Sequence, residues 1–112
     1  MAEIRTFESG ATRDTDQNKY DPEGFLSPLA LEAYFEYMHK NRFQKDGSLR
    51  DSDNWQKGIP LTAYMKSLFR HFHAAWRAHR GYKTEEDMVT SLCAIIFNAS
   101  GYLHEYLKKE EV

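Results

Sequence analysis

The chain has 112 residues, of which 41% are hydrophobic and 29% charged, the balance of a single folded domain and not of a disordered segment. A formal net charge of -2 speaks against a binder of nucleic-acid polymers, which is basic as a rule. No apolar run approaches membrane-spanning length, no early stretch resembles a signal peptide, and the lone Cys93 suits a reducing compartment; the expectation is a cytoplasmic protein with no membrane partner.

Residues 1–26 are polar and aperiodic, and they read as an extended arm laid over the core or over a partner. Residues 27–112 read as the helical domain. Ser27 can cap a helix and Pro28 suits its first position. Leu31, Tyr34, Phe35 and Met38 then recur at helical spacing, which predicts a helix to about Arg42. Phe43 to Gly58 reads as a polar loop of turn-forming residues, pinned to the core by Trp55.

Pro60 opens a second helix. Its apolar stripe runs Leu61, Tyr64, Met65, Leu68, Phe69, Phe72, Ala75 and Trp76, followed by His79, and Gly81 is its stop. Thr84 is the expected start of a third helix, with Asp87 in a capping-box position. Met88, Leu92, Ile95, Ile96, Ala99, Tyr102, Leu103 and Tyr106 form its apolar stripe. No strand pattern competes, so the fold class is all-α: a small bundle of three main helices with an N-terminal arm. Three helices make a thin bundle, which predicts a homo-oligomer, a dimer or larger, that completes the core.

Two polar constellations stand out. On the second helix Lys66, Arg70, His73, Arg77 and Arg80 are spaced four, three, four and three, which puts them on one face. Phosphate answers such a row well, since guanidinium gives it forked hydrogen bonds; the competing reading is a solvated face paired with neighbouring carboxylates. On the first helix Glu32 and Glu36 lie one turn apart, with His39 beyond. Such a pair can share a hard cation, Mg²⁺, or with the imidazole a softer Mn²⁺. Glu85, Glu86 and Asp87 could face them, or could simply complement the third helix's dipole. Neither an HExxH motif, nor a paired-cysteine zinc pattern, nor a P-loop is present. Cys93 sits among apolar neighbours and reads as core.

The order of segments resembles a known family. Gly10 to Thr15, Lys19-Tyr20-Asp21, Ser27 to Glu32, Asn54-Trp55-Gln56-Lys57-Gly58, Ser67 to His71, Ala75-Trp76 and Phe97-Asn98-Ala99 are similar to the dATP/dGTP diphosphohydrolases carried by many phages, relatives of the MazG-like all-α pyrophosphohydrolases. The likeness spans roughly residues 8 to 100. It implies cleavage of a (d)NTP, purine favoured, to (d)NMP and pyrophosphate in the host cytoplasm. It implies Mg²⁺ (or Mn²⁺) on Glu32, Glu36, Glu86 and Asp87, with Glu32 and Glu36 catalytic. Lys66, Arg70, His73 and Arg77 would hold the substrate, and Arg13, Lys19, Trp55 and Lys57 would close over it.

The match is incomplete. The first helix offers only Glu32 and Glu36 where the pattern has a third carboxylate, and Met88 to Ile96 has no histidine. These departures weaken the metal site more than the phosphate site. The alternative expectation is a catalytically degenerate nucleotide-binding protein that sequesters a nucleotide or cyclic signalling nucleotide during phage infection. A structural protein whose charged stripes pair across an oligomer is the third.

Overall fold

The computed structural model describes residues 3–110. The molecule is mostly helical, with one small hairpin. Strand β1 (Ile4–Thr6) pairs antiparallel with β2 (Thr12–Asp14), Arg5 opposite Arg13. The turn closes through Phe7 N–H to Ala11 O at 2.9 Å. The arm, read as extended, holds this two-stranded sheet and a one-turn helix α1 (Pro22–Phe25), capped by the Asp21 carboxylate, so the chain is mostly helical and not all-α. Each strand has only three residues, too short a run for a period of two to be visible in the sequence.

Helix α2 (Pro28–Lys40) starts where expected. The Ser27 hydroxyl accepts from Ala30 N–H at 3.1 Å and Pro28 takes the first position. It ends slightly early, at Lys40, where the Asn41 side chain donates back to Tyr37 O at 2.7 Å. A 3₁₀ turn (Asn54–Lys57) follows the loop, then α3 (Leu61–His79). Gly81, at φ +88°, terminates α3: its N–H bonds Ala78 O and that of Tyr82 bonds Arg77 O, a left-handed cap open to glycine without steric cost.

Helix α4 (Met88–Glu110) begins four residues after Thr84, not at it. Asp87 is itself the cap, accepting Thr90 N–H at 2.7 Å, while Thr84 donates its hydroxyl to Glu86 O at 2.7 Å. The short carboxylate beside the first free N–H groups outcompetes the threonine upstream.

Helix α4 is the centre of the fold. It packs extensively along α3 and more lightly against α2. The hairpin pairs with itself and packs substantially on no helix. Among the described residues the buried apolar side chains are Tyr64, Ala75, Cys93 and Ala94, joined by buried Ser91 and Asn98. Much of the expected core is uncovered in the single chain. Met65, Phe69, Phe72 and Trp76 of α3, and Leu92, Ile96, Leu103 and Tyr106 of α4, are exposed, as is His79. A period of 3.6 shows which positions are apolar, but not whether this chain or another covers them.

Candidate functional site

Helix α3 has three long faces. Tyr64, Leu68, His71 and Ala75 turn toward α4, and Met65, Phe69, Phe72 and Trp76 form an exposed apolar arc beside them. The third face carries Lys66, Arg70, His73 and Arg77, all exposed, with Arg80 at the C-cap. Among the described residues none of these five forms an ion pair. The reading in which neighbouring carboxylates of the same chain neutralise the row is thus not what this fold does. Aromatic rings order its C-terminal end. The Arg77 guanidinium lies 4.9 Å from the Tyr82 ring centroid, and that of Arg80 lies 5.6 Å from Trp76. The His73 ring meets Trp76 edge-on at 6.1 Å. Guanidinium groups held by stacking keep their forked donors free for an anion.

Behind this face, on the α4 side, is a polar cluster. His71 Nδ1 lies 2.9 Å from Glu86 Oε2, and the Ser91 hydroxyl donates to the same oxygen at 2.5 Å. Burial pushes the Glu86 carboxyl up, but the His71 and Ser91 hydrogen bonds outweigh it and hold it below the ordinary carboxylate value. Burial first, and the Glu86 charge second, push the nearby Tyr37 hydroxyl up. Asp87 is lowered by the Thr90 backbone N–H that it caps, with a smaller contribution from Lys40.

Among the described residues the carboxylates expected to hold Mg²⁺ do not form a group of three. Glu32 and Glu36 are exposed, on the side of α2 turned away from the half-buried Leu31, Tyr34 and Met38. Glu86 is engaged by His71 and Ser91, and Asp87 by the start of α4. Among the described residues no three His, Cys, Asp or Glu side chains converge as a ligand set. Cys93 is buried, and burial raises its thiol pKa, as a core cysteine requires.

The closing residues are dispersed. Arg13 and Lys19 lie on the N-terminal arm, both exposed. Lys57 is exposed at the end of the 3₁₀ turn, and Trp55 in that turn is half-buried, edge-on to His104 at 4.9 Å.

Trp55 also lines a cavity of about 550 Å³ between the end of α2, the following loop and α4, within the size range of small-molecule sites. Phe35, Phe43 and Phe97 wall it with Trp55, and Arg42 and Arg50 stand on its rim. The two arginines clamp the loop: Arg50 N–H donates to Arg42 O and Arg42 Nε to Arg50 O, both at 2.8 Å. Sequence reading missed this pair because turn-forming Asp46-Gly47-Ser48 and Asp51 dominate the segment. The interleaving of arginine with aromatic residues over 42–55 was the available signal. Aromatic walls and guanidinium donors suit a planar, hydrogen-bonding ring.

No helix of the described residues is long and apolar enough to cross a membrane. Neither the family models, nor the curated proteins, nor the solved structures compared with this chain give a match.

Proposed function

We propose that this protein binds a nucleoside triphosphate, purine favoured, and works as a homo-oligomer. The row of cations on α3 holds the phosphates; the aromatic cavity beside Trp55, which no α3 residue lines, is a separate place suited to a planar ring. The observation that carries the reading is the row itself: Lys66, Arg70, His73 and Arg77 exposed on one face with no ion-pair partner among the described residues. Like charges one turn apart repel by a few tenths of a kcal/mol per pair, so the face favours a multivalent anion. Arg70 and Arg77 supply bidentate grips, and Lys66 and His73 supply point donors.

Hydrolysis of the (d)NTP to (d)NMP and pyrophosphate is the second reading, favoured by the exposed pair Glu32 and Glu36 one turn apart on α2. Within one chain Glu86 and Asp87 are engaged by His71, Ser91 and Thr90, which counts against their holding Mg²⁺ or Mn²⁺. No hydrolytic step is therefore assigned to them. Nucleotide capture without turnover is the form of the function that these contacts favour.

The test is thermal denaturation with dATP, dGTP, ATP and GTP, alongside pyrophosphate release with and without Mg²⁺ or Mn²⁺. Binding raises the melting temperature, because a ligand selective for the folded state stabilises it. The double variant Arg70→Ala/Arg77→Ala is expected to lose that shift. Wild-type protein that no triphosphate stabilises would end the nucleotide reading. Metal-dependent pyrophosphate release, lost in Glu36→Gln, would establish the hydrolase.

A further inference from the structure

Helix α4 cannot face water on the side it leaves open. From Met88 to Leu107 its one charged acidic or basic side chain is Glu105, which is half-buried. The outward face presents Leu92, Ile96 and Leu103, the last 57% exposed. Phe69, Phe72 and Trp76 of α3 extend the same surface sideways, with Phe69 65% exposed. An apolar stripe belongs against another element, and an uncovered patch of this kind marks an interface.

The area selects the occupant. The chain exposes 9604 Å². A compact monomer of 13.2 kDa exposes about 6,400 Å². The radius of gyration is 19.6 Å, against about 13 Å for a compact domain of this length. Obligate homodimers bury about 1,000 to 2,500 Å² per partner, which the excess of roughly 3,200 Å² accommodates with the exposed N-terminal arm holding the remainder. A small ligand removes far less.

We infer that a second copy of this chain docks on the outer face of α3 and α4, α4 against α4, closing a core that one chain leaves half built. The interface is isologous: the same apolar surface covers itself about a twofold axis, and no charged side chain of α4's outer face is buried in doing so. The doubled α3–α4 layer is a four-helix core. This inference specifies the oligomer of the proposal above and does not depend on nucleotide. It bears on the site all the same, because Trp76 lies on the border of the two surfaces and carries Arg80 and His73 on its ring.

Three measurements test it. Sedimentation of the full chain is expected to give the mass of two copies; a monomer at every concentration overturns the inference. Ile96→Glu is expected to give a monomer that keeps its helical circular dichroism; a folded variant that stays dimeric overturns it. Where that variant fails to fold, Ala99→Cys decides, since Ala99 is small and is exposed in the single chain. Its thiol is expected to react with a water-soluble maleimide at least about tenfold slower than one at Lys45→Cys, as when under about a tenth of the chains are monomeric. Equal rates overturn the inference, and the wild-type protein supplies the Cys93 background.

Discussion

Glu86 shows how far a single residue's role depends on the packing around it. Its place at the start of the third helix suggests either a helix-dipole partner or a metal ligand. The structure gives it to His71, fifteen residues earlier on α3, and to Ser91 on α4. That pairing was not legible, because it exists only once α3 and α4 are packed. The consequence is a pH dependence with a definite sign. The folded state holds Glu86 below its ordinary value of 4.5. The stabilisation is therefore fully present above that value, and it is lost as pH falls through the folded one. Ser91 is fully buried and donates to a charged acceptor, so Ser91→Ala is expected to cost about 2 kcal/mol near neutral pH. The deficit should fade in acid, once Glu86 is protonated in both proteins. Urea denaturation at neutral and acid pH, at fixed protein concentration, checks this. A deficit equal at both would show that the serine acts by packing and not through the carboxylate.

The helices themselves were legible, because caps and breakers are local signals. Ser27-Pro28, Pro60 and Gly81 each mark a boundary that the structure keeps. Asp87 did not read correctly, since both it and Thr84 can cap and the choice depends on where α4 docks. Gly101 gave no signal at all: a glycine inside a helix reads as a weak position. In the structure it is buried, and a β-carbon there would collide with the Tyr64 ring of α3. Gly101 therefore sets how closely the two helices approach. Tyr64 is among the few fully buried large side chains, so its ring has no free space to retreat into. Gly101→Ala is accordingly expected to destabilise by about 1–3 kcal/mol, against a gain of under about 1 kcal/mol in helix propensity. Chemical denaturation measures the balance, and a stabilised variant would show that the helices can separate without loss.

At the scale of the whole molecule, α3 carries two surfaces whose physics differ. One is a row of cations without ion-pair partners among the described residues, the other an apolar arc beside the outer face of α4. The amphipathic period located both, yet it could not say that they would lie side by side and both open, since that follows from α4 covering only one side of α3. Their neighbourhood makes a separable prediction. Raising salt from about 0.1 M to about 1 M shortens the Debye length from about 10 Å to about 3 Å. Triphosphate held by exposed guanidinium and ammonium groups should then bind much more weakly. Assembly through apolar area has no such dependence, and sulfate salts should strengthen it. Titrating dGTP at both salt concentrations while following mass by light scattering separates the two. Weaker nucleotide binding with unchanged mass is the expected result. If mass and binding fall together, the cations of α3 hold the copies to each other, and the phosphate reading of that face gives way to one in which the row pairs with the partner's exposed carboxylates, Glu32 and Glu36 among them.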